Sequence, residues 1–347
     1  MPPKSAGIAI GLLGDVMLGR MVGKALERRP PEALWAAELR ELASSLDLVV
    51  CNLECCISTR GGPTTLIERK PFFFRGPPAA VDTLRAMNVG AVSLANNHAL
   101  DFGEEALEDT LALLHSAGIA TAGAGFGLDG ARAPAVVRAA GARVGLVAAT
   151  DHPAEYAAAP GSWGVAHARM HDRLPRWLLE RIAAARRRCD LVIAFPHWGP
   201  NMADRPPDWQ LRAAADLHVA GADLVAGHSA HVFHGVGWDG GATLFDLGDV
   251  LDDYIVDSEL RNDLGVFAIW RPGSDRPLEL VGLRLRYCHT QLASGPEADW
   301  IAARLEHACQ QLGTAVTRTA EHRFTIEPLR VAKHTSVPAG GGRSRAS

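Results

Sequence analysis

Six short apolar runs in this chain each lead into a side chain that can bind a cation or move a proton, and that recurrence narrows the fold more than any other feature. Asp15 follows Ile8–Leu13, Asn52 and Glu54 end Leu46–Leu53, and Asn96, Asn97 and His98 follow Ala91–Ala95. His197 follows Leu191–Phe195, His228 and His231 follow Ala222–Ala226, and Asp246 and Asp249 end Thr243–Leu247. Short apolar runs of this kind read as buried strands. Between them lie stretches that predict helices over Pro31–Ser44, Pro78–Met87, Phe102–Ser116, Pro175–Arg188 and Pro207–Ala220, with a late one over Ala298–Leu312. Strands alternating with helices predict an α/β protein, whose ligand site lies at the carboxyl ends of its strands. The polar groups are therefore expected along one rim.

The remaining pattern is less regular. Ala135–Val137 and Val144–Ala149 flank Gly141 and predict a hairpin. Leu264–Trp270 and Leu278–Arg286 predict further strands. We expect one domain over residues 1–335 and a flexible Gly/Ser/Arg-rich tail over 336–347, with two lobes broken near residue 150 as the alternative.

Composition excludes several functions. With 35 Lys+Arg against 39 Asp+Glu, the chain lacks the basic excess of a nucleic-acid binder. Its 6 Cys include no C-x-x-C pair, so reduced thiols in a cytoplasmic protein are expected. No run is long enough for a membrane anchor, and the start of the chain does not read as a signal peptide. The Gly123-x-Gly125-x-Gly127 spacing lacks the strand–turn–helix context of a dinucleotide site.

Two carboxylates, an amide oxygen and three imidazoles on one rim form a nitrogen and oxygen donor set without thiolate. It suits one or two divalent cations, with Ca, Mn, Zn and Fe all allowed. Asp151-His152 follows Val144–Ala149 and is a further candidate for the same rim, against the reading of an ordinary surface loop. Arg60, Arg69, Lys70 and Arg75 surround Phe72–Phe74; a solvated loop with one buried aromatic is preferred there to a carboxylate-binding site.

At this point the sequence resembles a known family. Gly14-Asp15-Val16-Met17-Leu18-Gly19-Arg20, Asn52-Leu53-Glu54, and the run Ser93 to Gly103 with Asn96-Asn97-His98-Ala99-Leu100-Asp101 are similar to motifs of the CapA (poly-γ-glutamate capsule synthesis) family. So are Pro196-His197-Trp198-Gly199, Gly227-His228-Ser229-Ala230-His231 and Leu247-Gly248-Asp249. The resemblance spans roughly residues 7–257 and implies a calcineurin-like αββα sandwich of two mixed sheets flanked by helices. It implies metal ligation by Asp15, Glu54, Asn97, His197, His228 and His231, with Glu54 as a candidate bridge between two ions. It makes His98 an acid/base oriented by Asp101.

The departures from the family pattern matter as well. Met17 stands where metallophosphoesterases carry His, which weakens one of two metal positions. Asn201 replaces a Glu, and Asp246 and Asp249 add carboxylates. Three functions follow as expectations. A metal-dependent hydrolase of a phosphoester or amide bond needs one activated water and one acid. A peptide epimerase needs an acid/base on each face of Cα, and the surplus groups His98 with Asp101, Asp151 with His152, and His234 near Asp246 and Asp249 fit that need. The absent anchor makes the chain resemble the lasso-peptide epimerase branch of the family, with the C-terminal residue of a ribosomal precursor peptide as substrate. A soluble scaffold protein of capsule synthesis is the third expectation. Epimerisation is preferred.

Overall fold

The computed structural model describes residues 7–329, so the expected tail 336–347 lies outside the described residues. Ile10–Val16 is buried along its whole length, as a strand covered on both faces must be. Its side chains alternate between two environments. Ile10 and Leu12 join a core with Leu48, Val50, Leu146, Ile193 and Leu224. Leu13, Val49 and Cys51 face a second core with Leu39 and Leu107. The same alternation divides Leu191–His197: Leu191, Ile193 and Phe195 point to the first core, Val192 and Ala194 to a third, with Leu178 and Leu217.

Three cores of this kind define four layers. The larger sheet has ten strands, with a main path Thr314–Ala320, Arg323–Pro328, Leu278–Arg286, Leu264–Trp270, Ile10–Val16, Leu48–Leu53, Val89–Ser93, Ala120–Ala122. The smaller runs Val236–Trp238, Ala242–Leu244, Leu224–Ala226, Leu191–His197, Ala142–Thr150, Ala135–Ala139. The first core lies between the sheets and takes residues from both sides of position 150. Helices Ala37–Ser44 and Gly103–Ser116 cover the outer face of one sheet. Helices Arg176–Arg186 and Asp208–Ala220 cover the other. The result is a mixed α/β architecture of mixed sheets flanked by helices, consistent with a calcineurin-like fold.

Parallel pairing is what positions the site. Asp15 lies opposite Asn52, and Asn52 opposite Ser93, in three parallel strands. In the smaller sheet Thr150 lies opposite His197 in parallel register, and His197 bridges to His228. The carboxyl ends of these strands therefore fall at one edge of each sheet.

Two expected elements differ. The helix expected over Pro31–Ser44 is a short 3-10 turn, Pro31–Leu34, followed by the helix Ala37–Ser44. Trp35 between them is extended, so that its buried indole donates to the Thr83 carbonyl at 3.0 Å. The strand expected over Thr243–Leu247 is Ala242–Leu244. Past it the chain turns and crosses to the other sheet, where Asp249–Leu251 pairs with the first strand and sets Asp249 opposite Asp15. That crossing is tight: a Cβ on Gly14 would stand 2.0 Å from the Gly248 carbonyl oxygen. Among the described residues, no helix is long and apolar enough to cross a membrane.

Candidate metal centre

The strand ends bring two groups of donors together. Asp15, His197 and His228 offer ligand atoms within 4.8 Å of one another. So do Asp15, Glu54, His231 and Asp249. Asp15 belongs to both groups, and Glu54, the residue expected to bridge, to one. Asn52 donates to Asp15 Oδ1 at 2.7 Å, and Asn96 donates to Asn52 Oδ1 at 3.0 Å. The pair fixes the shared carboxylate from behind.

The donor set fits a divalent cation. Asp15 Oδ2, Glu54 Oε1, Asn97 Oδ1, His228 Nε2 and Asp249 Oδ2 are all buried without a hydrogen-bond partner. A buried carboxylate left unpaired costs several kcal/mol, on the order of the desolvation penalty of an ion. Asp15, Glu54, His228 and Asp249 belong to the two donor groups, and unpaired donors gathered in this way are relieved together by a cation of hard to borderline character. The acidity of the groups reports the same crowding. Burial, then the Asp15 charge, pushes Glu54 well above the usual carboxylate range. Burial, then Asp252 and Asp15, does the same to Asp249. Asp246 is pushed up to about 8 by burial and Asp15. Asp15 is also raised by burial, but the hydrogen bond and charge of His228 outweigh this and hold it below the usual range. Met17 is buried, and its Sδ accepts the Gly19 N–H at 3.0 Å. Asp249, in register with Asp15, adds a carboxylate to the second donor group, which offsets the weakening expected from Met17.

His98 stands beside this set in a closed setting. Its Nδ1 lies 2.6 Å from Asp101 Oδ2, and the Phe74 ring stacks on it with centroids 3.9 Å apart. Asp101 also accepts the Phe74 N–H at 2.6 Å and the Tyr156 hydroxyl at 3.0 Å, with Lys70 Nζ at 3.2 Å. Lys70 donates in turn to the Asn97 carbonyl at 2.8 Å. Asp101 accepts the His98 Nδ1–H hydrogen bond, leaving Nε2 as the ring nitrogen available for chemistry. Burial outweighs the Asp101 hydrogen bond and pushes His98 down to about 4, so the ring is neutral near pH 7.

A second His–Asp pair lies beside His197. Asp151 Oδ1 is in close contact with His152 Nδ1. Asp151 Oδ2 accepts the Gly199 N–H at 3.0 Å and lies 3.5 Å from His171 Nε2. The His152 ring is 5.3 Å from that of His197. The structure does not bring His234 into either donor group: its Nε2 meets the Ala203 carbonyl at 2.9 Å, and its backbone N–H bonds the Asp246 carbonyl. Of the two carboxylates expected near His234, Asp249 instead stands with the ligands, its Oδ1 2.8 Å from His231 Nδ1. Asn201 touches the far side of that ring, 3.1 Å from Nε2. Unmarked in the sequence are Tyr254, whose hydroxyl donates to Glu54 Oε2 at 3.3 Å, and the Lys70–Tyr156 support of Asp101.

Fold and site together define a two-sheet α/β protein with a carboxylate–imidazole candidate metal centre at its strand ends. The chain belongs to the family described as bacterial capsule synthesis protein PGA_cap, whose profile matches residues 9–254. It is 32% identical over 321 residues to a protein of Mycobacterium tuberculosis named "Probable polyglutamine synthesis accessory protein", covering 85% of this chain and 81% of that one. It is 26% identical to the "PGA biosynthesis protein CapA" of Bacillus subtilis, covering 71% of this chain and 63% of the relative. The "Capsule biosynthesis protein CapA" of Bacillus anthracis is 25% identical, with 71% and 60% covered.

Proposed function

We propose that this chain is a metal-dependent peptide epimerase, exchanging the Cα proton of the C-terminal residue of a peptide, with a ribosomal precursor peptide as the substrate. The observation that carries the reading is the presence of two separate His–Asp dyads, His98–Asp101 and His152–Asp151, the second 5.3 Å from the His197 ring of the donor set. Inverting a Cα centre requires one group to take the proton and another to return it. In each dyad the Asp engages Nδ1 and leaves Nε2 free, which is the state a base needs. His98 is enclosed and held neutral, while His152 is partly open to solvent, its side chain 35% exposed. A divalent cation held by Asp15, Glu54, Asn97, His197, His228, His231 and Asp249 would supply positive charge beside a carboxyl or carbonyl oxygen that gains electron density as the proton leaves. The naming of a relative for polyglutamine synthesis supports a substrate of linked amino acids. The six buried free thiols support a reducing, cytoplasmic setting.

Hydrolysis is the second reading, favoured by one observation: two donor groups share Asp15, as a two-ion clamp on attacking and leaving oxygens would require. Incubation with a cognate peptide in D2O separates the two. Epimerisation adds one deuterium at Cα with slow inversion and no shorter products, and His98→Gln and His152→Gln each slow it by about 100-fold or more. Release of phosphate or a shortened peptide without deuterium at Cα overturns the epimerase reading in favour of the hydrolase.

A further inference from the structure

The motif that ends Gly19-Arg20 places one cation over aromatic rings more than 50 residues away in the chain. The four cations near Phe72–Phe74 in sequence are engaged elsewhere. Arg60 pairs with Asp109 and Glu108, and Arg69 with Glu68. Lys70 is bound to Asp101, and Arg75 donates to the Arg60 and Gly61 carbonyls. The guanidinium that lies over these aromatic faces is that of Arg20. Its Cζ is 5.7 Å from the centroids of both Phe72 and Phe74 and 6.0 Å from that of Tyr254.

Arg20 is held at one end and open at the other. Its Nε lies 3.3 Å from Asp253 Oδ2, which is itself fixed by the Met21 N–H at 2.9 Å. Among the described residues, no hydrogen bond or ion pair occupies its two terminal nitrogens. The side chain is 36% exposed. Two of the rings beneath it are also walls of the metal centre. Phe74 stacks on His98, and Tyr254 reaches Glu54 with its hydroxyl and meets the His231 ring in a T-shaped contact, 5.3 Å between centroids. A rigid fork with two free donors matches a carboxylate, and aromatic faces fix its plane at small entropic cost.

The geometry assigns Arg20, on the Phe72–Phe74–Tyr254 platform, as a binding site for a carboxylate of the substrate at the lip of the metal centre. The inference rests on the reading of that centre as an active site for a peptide. The carboxylate is either the peptide's C-terminus or an acidic side chain, and the two sources share this chemistry.

The first test needs no turnover. The Arg20 Nε–Hε signal is followed by nuclear magnetic resonance as benzoate is added to the full chain, with calcium present and again after EDTA treatment. Benzamide is the neutral control. Benzoate is expected to shift the signal saturably in both conditions and benzamide to leave it in place. Arg20→Gln should lose benzoate binding, and Arg20→Lys, which keeps the charge without the fork, should weaken it. No saturable shift, a shift that requires calcium, or unchanged binding in Arg20→Gln overturns the assignment. The second test uses proton exchange. Arg20→Gln is expected to raise KM for a free-acid peptide by about 10- to 100-fold and to move kcat far less. If the peptide's C-terminal amide shows no such dependence on Arg20, the C-terminus is the bound carboxylate; if it shows the same dependence, a side chain is. Equal KM in parent and variant for both peptides overturns the assignment. Absence of exchange with any peptide counts against the proposed reaction alone, and the benzoate titration still decides Arg20.

Discussion

His234 shows how a single buried ring makes stability depend on pH. Its Nε2 contacts the Ala203 carbonyl and its Nδ1 has no partner. Burial, with the Arg304 charge adding to it, pushes the ring from an ordinary 6.5 down to about 4. The unfolded chain therefore takes up a proton near pH 6.5 that the folded chain refuses until about pH 4. Stability is fully present above 6.5 and is lost as pH falls through that window, by about 2–3 kcal/mol for this group. Urea unfolding at pH 7.5 and 4.5 should show His234→Leu losing about 2–3 kcal/mol less than the parent between the two conditions. Equal losses would remove His234 from the account. Contributions from the rest of the chain are common to both proteins and cancel in the difference. His234 also marks the limit of what single residues disclose in sequence. Asp15, Glu54, His197, His228 and His231, which the fold brings into the two donor groups, stand out in sequence because a polar group at the end of an apolar run is a local signal. The direction of the His234 ring does not, because it depends on the loop at Ala203. Nor does the Tyr254–Glu54 contact, which joins residues 200 apart in the chain.

Elements were legible where burial imposes a pattern on them. Leu264–Trp270 and Leu278–Arg286 form strands with the bounds expected, because their apolar residues are continuous or alternate. Thr314–Ala320 was missed: most of its residues are exposed, so nothing apolar marks it, and its pairing with Arg323–Pro328 fixes it instead. The Gly123-x-Gly125-x-Gly127 run has a structural explanation at this scale. Gly123 has φ +87, and a Cβ there would stand 2.5 Å from Ala95 Cβ and 3.1 Å from Ala148 Cβ, residues at the inner core between the two sheets. Gly127 also has a positive φ, +67, but a Cβ there meets nothing within 4 Å. The two positions thus separate backbone strain from close approach. Gly127→Ala should cost about 1 kcal/mol in urea unfolding, from strain alone. Gly123→Ala should cost about 2–4 kcal/mol, because the sheets must also part next to Asn96–His98. Similar costs at both positions would mean that the sheets are not in contact through Gly123.

Across the whole molecule, the donor groups lie where the two sheets meet. Asp15, Glu54 and Asp249 come from the strands of one sheet and their ends, while His197, His228 and His231 come from the other. The sequence displayed the strand ends, but not that the chain crosses between sheets at Asp246–Asp249 to bring a further carboxylate beside Asp15. Without a cation, that convergence destabilises the fold, because buried carboxylates repel one another and lack partners. With a cation, the same atoms join the sheets. Binding to the folded state alone stabilises by about 2.7 kcal/mol at a ligand concentration 100 times Kd. For a chain of this length that is a rise of about 3–6 °C in Tm. Addition of calcium, manganese or zinc to EDTA-treated protein should therefore raise Tm by several degrees for at least one ion. Asp249→Asn separates the two effects. In EDTA it removes a charge held unfavourably beside Asp15 and Asp252, so its Tm should lie at or above that of the parent. With the effective ion it should fall below the parent, because a ligand has been lost. Asp15→Asn, in both donor groups, should abolish the ion-dependent rise, with bound metal measured by mass spectrometry falling in step. A parent Tm indifferent to every ion, or an Asp249→Asn variant less stable than the parent by the same margin with and without the ion, would show that these carboxylates are buried for a purpose other than holding a cation.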